Sequence, residues 1–208
     1  MPKCAMGQMD RSHDDSLHEH DVSGHESTRS CDGVYHFVMC ERTEIKISCL
    51  DSHLIDSFEL PIIDRLFKDG LLAEAEALRL RVAVQEAVAN GIEHGCLELE
   101  SMWREESSPE GGDKFSAVRQ ERLCDPRYNE RSVIISSYFD GSKLEVSVSD
   151  DGKGFLVGSD VKVGDDIVCS LSCSGRGLEL IANAADEVKF NRNGAEVVLI
   201  KRIRRNRS

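Results

Sequence analysis

The 208-residue chain has little of what would mark it as exported, membrane-spanning or metal-stapled. No apolar run approaches the roughly 18 residues that a bilayer-spanning helix needs. The first 30 residues hold no signal-peptide core, so the chain is expected to be soluble, unexported and cytoplasmic. Its eight cysteines (Cys4, Cys31, Cys40, Cys49, Cys96, Cys124, Cys169 and Cys173) include no C-x-x-C pair. That spacing argues against a structural zinc or disulfide framework and for reduced thiols, several of them small core residues. Positive charge is also short: 26 Lys and Arg stand against 38 Asp and Glu, a formal net charge of −12. A basic surface spanning the whole fold is not expected, which leaves room for a local patch, and no direct nucleic-acid contact and no membrane partner is expected. No GxxxxGK[ST] phosphate loop is present, and Gly152-Lys153-Gly154 does not open a helix inside a βαβ unit.

What is present is globular composition, with 40% hydrophobic and 31% charged residues, enough for one ordinary domain. Residues 1–32 hold His13, His18, His20 and His25 among Asp, Ser and Gly with few bulky apolar side chains, and read as a disordered His-rich arm. The domain proper is expected over 33–203, followed by a basic tail at 204–208. Within it, Tyr35–Met39 and Glu44–Ser48 read as two short strands. A short helix follows over Leu60–Asp69, after Pro61 and closed by Gly70. A long helix then runs from Leu72 to near Gly95, with Ala75, Leu78, Val82, Ala89 and Ile92 at helical spacings. Residues 98–131 are highly charged, broken at Pro109–Asp113, and read as an insertion with one helical turn around Phe115–Leu123. Val133–Phe139 and Leu144–Ser149 form a hairpin, residues 150–176 a long Gly/Ser/Asp loop, and Leu178–Ala185 a helix. Glu187–Asn191 and Glu196–Arg202 close the chain as a second hairpin, turning at Asn193-Gly194.

Three clusters along this chain carry chemistry. On the long helix, Glu86, Asn90 and either Glu93 or His94 fall on one stripe beside apolar Ala87, Val88 and Ile92. A carboxylate and an amide against an apolar face are costly to bury unpaired, so they are either exposed, satisfied by backbone, or used. At a strand end, Asp150-Asp151-Gly152-Lys153-Gly154-Phe155 offers a carboxylate able to accept from an exocyclic amine and glycines that admit a flat ring or a phosphate. Asp-Gly at a strand end also simply makes turns. Before a helix, Ser174-Gly175-Arg176-Gly177-Leu178 exposes backbone N–H groups whose dipole suits phosphate.

Taken together and in this order, the clusters resemble the Bergerat nucleotide-binding fold of the GHKL ATPase/kinase superfamily. The stretch Val84–Gly95 is similar to the anti-sigma-factor serine/threonine kinase branch. So is the ending Gly175-Arg176-Gly177-Leu178, Ala185-Asp186-Glu187-Val188, Asn193-Gly194-Ala195-Glu196-Val197 and Lys201. The resemblance implies an α+β fold, a two-layer α/β sandwich whose mixed, mostly antiparallel sheet is covered on one face by helices. It implies ATP and Mg2+ as cofactors, with Asn90 holding the magnesium, Glu86 as the general base and Asp150 gripping the adenine amine. Gly152 and Gly154 would make room for the base, and Gly175, Arg176 and Gly177 would close over the phosphates. His94, Lys153, Phe155 and Leu178 complete the implied nucleotide-binding set, and residues 156–174 would be the lid.

Two positions depart from that branch. An arginine is often found in the lid just before its first glycine, where this chain has Cys173 and Ser174. A threonine commonly follows the glycine of the last hairpin turn, where this chain has Ala195. Two functional expectations follow from the resemblance. One is a protein kinase that phosphorylates an anti-anti-sigma (STAS-like) partner and sequesters a sigma factor. The other is an ATP-dependent binding switch with weak catalysis. A homodimer is implied by the same resemblance. A sensor histidine kinase is disfavoured, because His18 and His20 lie in the arm rather than on a helical hairpin.

Overall fold

The computed structural model describes residues 20–29, 35–109, 111–154 and 176–203. Residues 1–19, Phe155, the expected lid at 156–174, Gly175 and the basic tail lie outside that set. Six strands form one sheet: β1 (His20–Arg29), β2 (Tyr35–Ser48), β3 (Ser132–Phe139), β4 (Lys143–Asp150), β5 (Glu187–Asn191) and β6 (Glu196–Arg202). Their order is β1-β2-β3-β4-β6-β5, and every described pairing is antiparallel. The α+β sandwich therefore forms as expected, with no parallel pair among the described strands.

The inner face of the sheet is written by alternation. Along β4, Leu144, Val146 and Val148 are buried, and the period of two carries Asp150 onto that same inner face. Ile45 and Ile47 of β2, Val133 and Ile135 of β3 and Leu199 of β6 complete the apolar surface. Helices cover it: α1 (Pro61–Lys68) contributes Ile62, Ile63 and Leu66, and α2 (Glu74–Asn90) contributes Leu80, Ala83, Val84, Ala87 and Val88. The last helix (Arg176–Ala184) adds Ile181 and Ala184 and packs along α2. Pro61 starts α1 at a position whose N–H has no intrahelical partner in any case. At the start of α2 the Glu76 carboxylate accepts from the Ala73 N–H at 3.1 Å.

Several expectations are corrected. The two short strands at 35–48 are one continuous β2: Glu41 in its polar middle pairs with Arg65 of α1, and Thr43, Ile45 and Ile47 keep the inward alternation. The apolar stripe read on the long helix is right only at its end, where Ile92 is buried. Leu78 and Val82 are exposed, and the buried stripe runs through Leu80, Ala83, Val84 and Ala87. Because α2 is rich in apolar residues on more than one side, spacing alone could not choose between stripes. The segment His20–Arg29, read as part of an unstructured arm, pairs with the outer edge of β2. An edge ladder asks only for backbone donors and acceptors, so a segment with no core to bury can still extend a sheet.

The 98–131 insertion is also more structured than its charge suggests. It contains a short 3-10 turn at Ser101–Arg104, α3 (Lys114–Leu123) and the single turn α4 (Pro126–Asn129). The last helix, Arg176–Ala184, is therefore α5. Asp113 caps α3 by accepting from the Ser116 N–H at 2.7 Å. Phe115 is buried, Trp103, Val118, Leu123 and Tyr128 pack against the core, and Arg122 and Arg131 lie over the Tyr128 ring. Arg122 and Arg131 are thus engaged on an aromatic face and backbone carbonyls rather than left to solvent.

Candidate functional site

The regular geometry of α2 ends at Asn90, and the chain continues as a π-helical turn over Gly91–Cys96. Such turns add a residue to the helical repeat and re-aim the side chains beyond them. Here the re-aiming separates Glu93 from His94. Glu93 turns outward to Arg104, with Nη2 donating to Oε2 at 2.8 Å, whereas His94 lines a cavity of about 570 Å³. Glu86, Asn90, Asp150, Gly154 and Gly177 line the same cavity. Three stretches far apart in sequence therefore share one hollow, of a size typical for small-molecule sites.

Two adjacent carboxylates at the end of β4 have separated roles. Asp151 faces away and ties the start of β3, accepting at Oδ2 from the Ser132 N–H and hydroxyl, both at 2.9 Å. Asp150 points inward and is only 8% exposed. Its Oδ1 accepts from the Gly152 N–H at 2.7 Å. Burial pushes its carboxyl up to about 6, opposed by the Gly152 hydrogen bond and by the positive charge of Arg192. A desolvated acceptor in a cleft is suited to a ligand that brings its own N–H donor.

The glycines around Asp150 are required by contact. A Cβ on Gly95 would overlap the Asp150 carboxylate, and one on Gly152 would overlap both that carboxylate and the Gly95 carbonyl. Gly154 has φ +76 and abuts the Asn193 carbonyl, in a hairpin turn where Arg192 and Asn193 also have positive φ. The DxGxG spacing thus lets main chain lie directly on main chain below the cavity. At the opposite end, Gly177 in the first turn of α5 sits against Glu86, and a Cβ there would collide with Glu86 Oε1. Glu86 and Asn90 are half-buried and have no hydrogen-bond partner for their side chains among the described residues.

The remaining expected residues are placed as follows. His94 lines the cavity, but both ring nitrogens are engaged: Nδ1 lies 2.5 Å from the Leu99 carbonyl and Nε2 3.4 Å from the Ser101 hydroxyl. Lys153 is highly exposed at the rim, with Nζ 3.6 Å from Glu98 Oε1. Leu178 lines the wall, and Arg176 opens α5. Phe155, Gly175, Cys173 and Ser174 are outside the described residues. Ala195 is buried, its carbonyl accepting from the Asp150 N–H at 3.0 Å.

Sequence reasoning missed one wall entirely. Glu98, Leu99, Glu100 and Ser101, the first residues of the insertion, line the cavity. The only available signal was their position directly after Gly95. Among the described residues no group of His, Cys, Asp and Glu has the geometry of a metal site, and no helix is long and apolar enough to cross a membrane. The residues present do fit a nucleotide: a buried acceptor at one end, side-chain-free backbone beside it, and a helix start and an unpartnered carboxamide at the other.

Comparison with protein families matches residues 62–201, from α1 to β6, to the histidine kinase-like ATPase domain. A search of curated proteins returns no match.

Proposed function

The chain belongs to the histidine kinase-like ATPase family of GHKL-type ATP-binding proteins, and on that premise we propose a protein serine/threonine kinase of the anti-sigma-factor type. Its substrate would be a small anti-anti-sigma (STAS-like) protein, and its output the capture or release of a sigma factor. The observation that carries this reading is the position of Glu86 against Gly177, one helical turn from Asn90, in the cavity that also holds Asp150.

ATP bound with Mg2+ would supply the transferable phosphoryl group and the neutralising charge, and the protein's part is positioning. Asp150 would accept a hydrogen bond from the exocyclic amine of the base, its carboxylate seated in the space that Gly95 and Gly152 leave for it. The Asn90 carboxamide oxygen is a hard donor suited to magnesium. The start of α5, where Gly177 lines the cavity, would suit the phosphates. Glu86 would take the proton of the incoming serine or threonine hydroxyl as its oxygen bonds to the γ-phosphorus of ATP, the bond from that phosphorus to the β–γ bridging oxygen breaking and ADP leaving.

The test is transfer of label from γ-labelled ATP to a STAS-type partner. Wild type is expected to label serine or threonine, and Glu86→Ala to transfer about 100-fold less or lower while still binding ATP. Asn90→Ala should lose ATP-Mg binding. No transfer by wild type, or undiminished transfer by Glu86→Ala, overturns the kinase reading.

Ala195 favours a second reading, a nucleotide-gated binding switch. Its methyl group cannot order a water beside the base, and its backbone is already committed to Asp150. In that reading, affinity for the partner changes with ATP although no phosphate is transferred. Equal partner affinity with and without ATP-Mg overturns it.

A further inference from the structure

We propose that the first turn of the insertion, through Glu100 and Ser101, reads the sugar of the nucleotide and makes the site selective for ribose over deoxyribose. This rests on the assignment of the cavity to ATP.

The two ends of the cavity are distinguished by contact. Gly177 and Glu86 touch at one end. At the other, Gly95 lies against the Asp150 carboxylate, and Lys153 reaches Glu98. The insertion leaves the π-helical turn after Cys96, close to Gly95, so Glu98–Ser101 border the base end rather than the helix start that suits phosphate. Four carboxylates stand there, and three are committed, Glu196 accepting from Asn191 Nδ2 at 2.9 Å. Asp150 takes the Gly152 N–H and is the acceptor assigned to the base. Glu98 accepts from Arg131 Nη1 at 2.9 Å and faces Lys153; although burial works against ionisation, these cations hold its carboxyl below the usual range. Glu100 lines the cavity and its carboxylate has no partner among the described residues.

A carboxylate repels phosphate but accepts strongly from a hydroxyl, and pairing an acidic side chain with ribose hydroxyls is a recurrent solution in nucleotide sites. Ser101 stands beside it. Its hydroxyl donates to His94 Nε2 when Nδ1–H is given to the Leu99 carbonyl, which leaves the serine oxygen free to accept.

The backbone that leads into this wall is tied down at several points. Leu97 N–H donates to Ile92 O and Leu99 N–H to Glu93 O, both at 2.8 Å. Arg122 donates to the Leu97 and Glu98 carbonyls, at 2.5 Å for the latter, and Arg131 Nη1 donates to Cys96 O at 2.8 Å. A hydrogen bond from a hydroxyl to an ionised carboxylate contributes more than one between neutral groups, so the analogue that lacks the hydroxyl is bound less tightly.

The experiment is calorimetric or competition binding of ATP, 2′-deoxyATP and 3′-deoxyATP with Mg2+ to the full chain, wild type against Glu100→Gln and Ser101→Ala. Both side chains are exposed, and unchanged thermal denaturation checks that the variants fold. Wild type is expected to bind ATP about tenfold or more tightly than at least one deoxy analogue. Glu100→Gln should bring that ratio close to one by weakening ATP while leaving the deoxy analogue unchanged. Equal binding of all three by wild type, or a ratio preserved in both variants, overturns this proposal and leaves the ATP site standing. Failure of wild type to bind ATP at all overturns both.

Discussion

Asp150 closes β4 with its carboxyl turned into the cavity, and its surroundings set two expectations of opposite sign. In the unfolded chain it titrates as an ordinary aspartate, whereas in the native state burial raises it to about 6. The native state therefore holds the proton more tightly, and this group's contribution to stability is fully present at acid pH and is lost as pH rises through about 6. At pH 7 the buried charge costs on the order of 3 kcal/mol. Asp150→Asn, whose amide oxygen can still accept from Gly152, is expected to raise the melting temperature at pH 7 and to abolish ATP binding. Since a base amine bonds the ionised form, ATP affinity should fall below about pH 6, and binding there should release a proton. Calorimetry in buffers of different ionisation enthalpy checks this. Glycine substitutions separate fold from chemistry in the same way. At Gly177 a new methyl meets the movable end of Glu86, so Gly177→Ala should keep or slightly raise stability while phosphotransfer collapses. At Gly154 the neighbour is the Asn193 backbone and φ is positive, so Gly154→Ala should cost about 2 kcal/mol or more in chemical denaturation.

The elements differ in how far they could be read from sequence. Strands β3, β4, β5 and β6 are legible because alternation and turn residues agree, and that alternation already turns Asp150 toward the helices. Glu86, Asn90 and Asp150 could be named together only because a spacing pattern and two glycine clusters fell in a known order. The choice between Glu93 and His94 was not decidable, since it depends on the π-helical turn at Gly91–Cys96, which no residue type announces. Nor was the insertion, whose arginines look like a solvated charge run but lie on Trp103, Phe115 and Tyr128. Arg122 joins that cluster to the Leu97 and Glu98 carbonyls. Arg122→Ala should therefore cost about 2 kcal/mol or more of stability. It should also speed amide exchange across residues 96–101 and weaken ATP binding, although Arg122 does not line the cavity. Unchanged exchange there would show that the wall stands without this tie.

At the scale of the whole molecule, charge sets the terms on which an anion enters. Glu86, Glu98, Glu100, Asp150 and Glu196 line the cavity against Lys153, within a chain of net charge −12. An incoming nucleotide is opposed by this field, which ionic strength screens over about 10 Å at 0.1 M. The association rate of ATP-Mg is thus expected to rise, not fall, as KCl increases from about 50 to about 500 mM in stopped-flow measurements. Nucleotide without divalent cation should bind far more weakly. A rate that drops with salt would mean that cations outside the described residues govern access. One further consequence follows from the contact of Gly95 with Gly152, where two main chains meet with no side chain between them. Ancestral change at that seam has nothing to exchange, because any substitution wedges the floor apart. At the rim, by contrast, Glu100 and Ser101 are exposed and can be exchanged without displacing main chain, so altered substrate preference would be engineered at the margin of this pocket rather than at its floor.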